Sequence, residues 1–168
     1  MGIQKPGNSL ANANSMEYDR TYSWKCYAFC TNQRNRIKTM KTINVVAAII
    51  HRGEEILSTQ RGYGEYEGWW EFPGGKIEPG EGPEVALRRE IMEEPGVEIA
   101  VENLLCTVEY DYPKFHLSML CYMCSIANGE IDLREHKSAR WLSHNDLNSV
   151  QWLPADIEVL ERIKANLA

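Results

Sequence analysis

The chain has 168 residues, 43% of them apolar and 25% charged, with a formal net charge of −6, a size and balance that suit one globular domain with a single sizeable core. No apolar run approaches the roughly 20 residues that cross a bilayer, and the first thirty residues lack the continuous apolar stretch of a signal peptide, so a cytoplasmic protein with no membrane partner is expected. The acidic balance also argues against a nucleic acid polymer as partner, because phosphate backbones are held by clustered Lys and Arg.

In chain order, the first segment stands apart. Residues 1–41 carry Lys5, Arg20, Lys25, Arg34, Arg36, Lys38 and Lys41 against Glu17 and Asp19, and they are rich in Asn, Ser and Gln with neither helical nor strand period. We read residues 1–39 as a basic, mobile extension and residues 40–168 as the folded domain. Five cysteines on a chain without an export signal fit reduced thiols. Cys26 and Cys30 with Cys121 and Cys124 could be drawn as a zinc site, but the second pair falls in a strand. Residues three apart on a strand face opposite sides, which disfavours zinc.

From Thr42 the pattern becomes legible. The β-branched run TINVVAAII, a turn at His51-Arg52-Gly53 and the segment EILSTQ read as a strand pair. Trp69 to Phe72 reads as a short strand that Pro73-Gly74-Gly75 breaks into a loop. Pro83 can open a helix over EVALRREIMEE, which Pro95-Gly96 stops. Val97 to Tyr112 and Phe115 to Ile126 read as strands around a turn at Pro113, and Ala139 to Leu142 as a last short strand. Pro154 opens a final helix in which Ile157, Leu160 and Ile163 recur at helical spacing. Strands with two helices, each covering a sheet face, predict a layered α/β arrangement.

The chemistry is concentrated in the first of these helices. Glu90, Glu93 and Glu94 fall at i, i+3 and i+4, so a helix places three carboxylates on one face. Each like-charge pair costs about 0.2–0.5 kcal/mol, and acids in a last turn oppose the helix dipole by roughly 0.3–1 kcal/mol. A cation would complete the arrangement, and hard oxygen ligands suit Mg²⁺ or Mn²⁺; a solvated acidic face is the other reading of the helix alone. Ahead of it, Phe72-Pro73-Gly74-Gly75 brings bare backbone close to a ligand.

The stretch GKIEPGEGPEVALRREIMEEPGV, Gly75 to Val97, resembles the Nudix box, with Gly75, Glu81, Arg89, Glu90, Ile91, Glu93, Glu94, Gly96 and Val97 at its nine fixed positions. The resemblance implies an α/β/α sandwich around a mixed β-sheet. It also implies a Mg²⁺-dependent pyrophosphohydrolase, for which Mn²⁺ can substitute, that cuts a small nucleoside triphosphate with water into a monophosphate and pyrophosphate. By that resemblance Glu90, Glu93, Glu94 and the Gly74 carbonyl hold the divalent cations, and one of the glutamates, or a more distant one, serves the attacking water. Arg89 and Glu81 are similar to the family's internal ion pair. Pro95 departs from the usual residue and could displace Glu94, since a residue before proline is pushed from helical angles.

Outside the box, STQRG, WWEFPGGKIEPGE, VEYDYP and LPADIEVL resemble the MutT branch and its cytosine-nucleotide relatives. That match makes Arg61 a nucleotide contact and Glu71, Phe72, Pro73 and Gly74 the strand and loop beside it, while a strand-end charge and a cross-strand partner remain the plainer readings of Arg61 and Glu71. Glu135 matches an additional catalytic carboxylate that approaches the metals. Asp156 matches a base-reading position; ionised, it offers acceptors only and suits the N4 amine of cytosine, although an acid also serves the first turn of a helix. CTP, dCTP or 5-methyl-dCTP are thus the expected substrates. An enzyme acting on 8-oxo-dGTP and a non-catalytic nucleotide sensor are the alternatives. Trp69, Trp70, Tyr110, Tyr112 and Phe115 could stack on a base or form core. The histidines show no ligand spacing, and His116 reads as a packed strand residue. The chain fits a monomer or a homodimer equally.

Overall fold

A computed structural model describes residues 40–166, with the side chain of Asn166 excepted. The basic extension and the Cys26 and Cys30 positions lie outside the described residues. Among these, seven strands and two α-helices occur: β1 Lys41–Arg52, β2 Glu55–Gln60, β3 Trp70–Glu71, β4 Gly74–Lys76, α1 Pro83–Glu93, β5 Glu98–Tyr112, β6 Phe115–Asn128, β7 Ser138–Ser143 and α2 Pro154–Asn166.

The sheet is mixed. Its path runs β3-β2-β1-β6-β5, with β4 added to β1 and β7 to β2. β1 and β6 are parallel, while the β1–β4 and β5–β6 pairs are antiparallel. Residues 45–50 of β1 are apolar without interruption because both faces of the strand are covered there. Val46, Ala48 and Ile50 meet Ala86, Leu87 and Ile91 of α1, whereas Ala47 and Ile49 join the cluster of Ala155, Val159, Leu160 and Ile163 of α2. The result is the expected α/β/α sandwich. Fully buried Leu87 and Ile91 each contribute roughly 1.5–3 kcal/mol of hydrophobic burial. Cys121 and Cys124 point into opposite clusters, as a strand requires of residues three apart.

Several local expectations are corrected. The first turn is Gly53-Glu54, since β1 stays paired through Arg52↔Glu55, and Gly53 takes φ +61° there. Gly74 and Gly75 are strand, not loop: they pair with Ala47 and Val46, and a β-carbon on Gly74 would collide with the Val46 carbonyl. Ile157 is exposed; α2 instead buries Ala155, Asp156, Val159, Leu160 and Ile163. His116 is not packed into the core but lies on the outer face of the β5–β6 hairpin between Asp111 (2.6 Å) and Glu109 (2.8 Å), which raise its pKa in that order.

Candidate active site

The site begins where β4 passes under α1. Pro83 occupies the first turn of α1, and Gly96 at φ +71° returns its N–H to the Ile91 carbonyl (3.0 Å), closing the end that Pro95 cannot donate to. No basic side chain lies in that last turn. A β-carbon on Gly75 would run into the Glu90 carboxylate, so glycine lets an acid lie directly on the sheet backbone.

Arg89 ties the loop to the helix. Its Nε and Nη2 donate to the two Glu81 oxygens at 3.0 and 2.9 Å, Nη2 also donates to the Lys76 carbonyl (3.0 Å), and Nη1 donates to Glu90 (2.8 Å) and Glu93 (3.3 Å). The planar fork is what makes this bidentate grip possible. Glu81 and then Glu90, through these hydrogen bonds, raise the Arg89 pKa.

Glu94 turns away from that network into a cleft shared with Arg61, Gly62, Tyr63, Glu71, Gly74, Glu135 and His136. Its backbone is right-handed helical and its N–H still donates to the Glu90 carbonyl, so Pro95 has not unwound it. The following loop is pinned against this helix end by Asp132 N–H to Pro95 O (2.9 Å) and Arg134 N–H to Glu94 O (3.1 Å). Those two bonds bring Glu135 and His136 across from Glu94. Arg61 donates to Glu71 at 2.6 Å and Tyr63 to Glu135 at 3.4 Å. His136, 6% exposed, sits 3.3 Å from Glu71 and 4.0 Å from Glu94. Burial lifts the Glu94 pKa to about 7, with His136 opposing the rise and Glu71 and Glu90 adding to it.

The sequence reading therefore missed His136, whose only signal was its place beside Glu135. Glu93 stands apart, with its side chain 58% exposed. Pro73 is buried and donates nothing, but its carbonyl accepts from Ala48 N–H (2.8 Å) and fixes the turn between β3 and β4.

Arg61, Glu71 and Gly74 also line a second space, a cavity of about 350 Å³ walled by Phe72, Tyr66, Tyr112, Phe115, Leu117, Met119, Leu153 and Asp156. Such an apolar pocket with a few polar groups is of ligand size. Tyr112 stacks on Phe115 with centroids 4.9 Å apart, and Tyr66 meets Tyr112 edge-on. The start of α2 is drawn to this cavity by a ladder in which Trp70 N–H donates to Gln151 O and Leu153 N–H to Trp70 O, both 2.8 Å. Asp156 is consequently buried and accepts from Phe72 N–H at 3.4 Å. Burial, then the nearby Glu71 charge, raises its pKa well above the usual carboxylate range. A protonated carboxyl offers a donor as well as acceptors, and burial favours that form over the acceptor-only form drawn from sequence.

Divalent-cation chemistry fits the residues present. Glu90, Glu93, Glu94 and the Gly74 carbonyl supply hard oxygen donors, and the buried Glu94 Oε2 and His136 Nδ1 have no hydrogen-bond partner. Among the described residues, no three His, Cys, Asp or Glu side chains converge on one point. Glu90 and Glu93 are instead held by Arg89.

A mixed sheet between two helices, with a carboxylate-rich helix end beside a ligand-sized cavity, fits an α/β enzyme that acts on small molecules. The chain belongs to the Nudix hydrolase family: the NUDIX domain matches residues 40–163. It is 35% identical over 127 residues to the CTP pyrophosphohydrolase of Escherichia coli K12, spanning 75% of this chain and 94% of that protein. It is 33% identical over 127 residues to the 8-oxo-dGTP diphosphatase of the same organism, spanning 74% and 98%. Among solved structures, the E. coli ORF135 protein superposes with a TM-score of 0.68 at 34% identity, covering 79% of this chain and 95% of that one. The MutT Nudix hydrolase of Burkholderia pseudomallei superposes with a TM-score of 0.66 at 30% identity, covering 73% and 98%. Divalent-metal dependence is general in this family.

Proposed function

We propose that the protein hydrolyses nucleoside triphosphates to monophosphate and pyrophosphate with Mg²⁺, for which Mn²⁺ can substitute, and favours the cytosine nucleotides CTP, dCTP and 5-methyl-dCTP. The observation that carries this reading is the adjacency of two spaces. Arg61, Glu71 and Gly74 border both the carboxylate cleft and the apolar cavity that ends on Asp156. A nucleotide can thus place its phosphates by Glu94 and Glu135 while its base enters the cavity.

Glu90, Glu93, Glu94 and the Gly74 carbonyl would hold the cations, which, when bound, neutralise phosphate charge and make water a nucleophile near neutral pH. A carboxylate of the cleft takes the proton from that water. Arg61 keeps a buried Nε without a partner while Nη1 is committed to Glu71, so its guanidinium is oriented with a donor to spare for the nucleotide. Phe72 and Pro73 hold the strand and turn that set Gly74 in place.

At the base, the Asp156 carboxyl, which burial favours in its protonated form, would accept from the cytosine N4 amine and donate to N3, whereas the ionised form would face the N3 lone pair. The likeness to a CTP pyrophosphohydrolase supports the same preference. An 8-oxo-dGTP preference is the second reading, favoured by the several 8-oxo-dGTP diphosphatases among the relatives. It too can use a donor-acceptor pair. The deciding measurement is kcat/KM for CTP, dCTP, 5-methyl-dCTP and 8-oxo-dGTP on the wild type and on Asp156→Asn. Cytosine nucleotides should lead on the wild type by at least 10-fold, about 1.4 kcal/mol of discrimination. A lead for 8-oxo-dGTP overturns the cytosine assignment, and no Mg²⁺-dependent turnover of any triphosphate overturns the reaction.

A further inference from the structure

Cys106 on β5 and Cys121 on β6 are direct register partners in the antiparallel pair. Such partners carry their β-carbons on one face, about 4.5–5.5 Å apart, against the roughly 3.5–4.5 Å of a disulfide. The small remaining approach falls where β5 has slack, because the register shifts between Leu104 and Cys106. Each thiol acts on the ionisation of the other, lowering the pKa of Cys106 and raising that of Cys121. Both belong to the cluster under α2, where Cys106 is half-buried and reachable while Cys121 is fully enclosed.

We propose that Cys106 and Cys121 form a dithiol modification site that hydroperoxides convert reversibly to a disulfide, and that this bond is felt at the base cavity. Cys106 is the reachable thiol where Cys121 is enclosed, and Cys121, then Arg162 of α2, lowers its pKa against the cost of burial, so Cys106 is the attacking sulfur. The Cys106 thiolate displaces hydroxide from the peroxide, giving a sulfenic acid. The Cys121 sulfur then forms the S–S bond, and the sulfenic oxygen leaves as water with the Cys121 proton. In sum two thiols and one hydrogen peroxide give one disulfide and two waters, the two electrons reducing the O–O bond. Cys124 is an internal contrast. It lies on the opposite face, and burial raises its pKa to about 12.

The path to the cavity is short. Met119, two residues before Cys121 on the same face of β6, lines the cavity. Asp156 lines the same cavity as Met119. Drawing β5 and β6 together at this point moves the floor on which the first turn of α2 rests.

The test treats the reduced full-length protein with stoichiometric hydrogen peroxide, blocks remaining thiols, and maps linked peptides. A Cys106–Cys121 peptide two hydrogen masses lighter than the sum of its parts is expected, abolished by dithiothreitol, retained in Cys124→Ser and absent in Cys106→Ser. Recovery of both residues as free thiols, or their linkage to Cys26, Cys30 or Cys124, overturns the site. The oxidised wild type and Cys124→Ser should show a several-fold rise in nucleotide KM that Cys106→Ser does not; a linked protein with unchanged KM overturns the coupling. The kinetic half rests on the base-cavity reading above. The linkage half does not, and it should appear equally in Asp156→Asn, so failure of the substrate assignment and failure of this site are read separately.

Discussion

A β-carbon at Gly75 would fall on the carboxylate of Glu90, so no other side chain can stand at position 75 without moving that acid. The first and sixteenth positions of a twenty-three-residue motif are thereby one steric unit, joining strand β4 to the last turns of α1. Arg89 completes the unit by holding Glu90 at 2.8 Å while its fork engages Glu81.

Gly75→Ala should therefore lower activity by displacing Glu90, with a loss of about 10–100-fold in kcat or metal affinity, the range for groups that orient a metal ligand. The fold should survive, because β4 is a short strand whose partner β1 is held on its other edge by β6. Steady-state kinetics across a Mg²⁺ titration, with circular dichroism as the folding control, checks it. Wild-type kinetics in the folded variant would detach Glu90 from the reaction.

Glu90→Gln and Glu94→Gln should each reduce kcat by about 10²–10⁴ while keeping the melting profile of the metal-free protein. Mg²⁺ should raise the melting temperature of the wild type by binding only the folded state, and EDTA should abolish both that shift and turnover. Full activity in EDTA would remove the cation from the mechanism.

Pro95→Leu should leave Mg²⁺ affinity nearly unchanged, within about 0.5 kcal/mol. The sequence alone predicted a distorted Glu94, yet its φ of −90° and ψ of −70° are right-handed helical and its N–H reaches Glu90 O. The clamps from Asp132 and Arg134 do not use the proline ring. Isothermal titration of both proteins measures this; a markedly tighter variant would show that Pro95 strains the site.

Asp156→Asn should stabilise the protein at alkaline pH. The folded pKa of Asp156 is raised by burial, so the folded state holds a proton that the unfolded chain releases at the ordinary carboxylate pKa. The contribution is complete below the unfolded pKa and is lost as pH rises through the folded one. Asparagine keeps the shape without the proton, and its melting temperature should exceed that of the wild type by about 2–8 °C at high pH, with the difference shrinking toward pH 4. Thermal scans across pH decide it, and a constant difference would assign the effect to packing.

Much of this protein could be read without coordinates where information is local. The i, i+3, i+4 acids, the glycines ahead of α1, the Pro83 start and the Gly96 stop all act within a few residues, so helix α1 and its chemistry were legible. The β-branched run inside β1 likewise announced a strand. Errors arose where two distant segments compete for the same backbone. Gly74-Gly75 reads as a breaker, but the open edge of β1 recruits it into the sheet. Ile157 fits a helical stripe, but the sheet face that α2 meets selects Val159 and Leu160 instead.

By itself, then, the sequence determined the family, the layered fold and the carboxylate-bearing helix, because each is encoded in short-range periodicity and a dense motif. Only the tertiary structure decided the electrostatic state of the site. His136 became a partner of Glu71 and Glu94 through loop clamps at Glu94 and Pro95. Asp156 became a buried carboxyl whose pKa is raised well above its ordinary value because the Trp70 ladder draws α2 over the cavity. Cys106 met Cys121 through a register set across a hairpin. Burial and charge proximity depend on which distant groups share a space, and a linear chain carries that information only once it has folded.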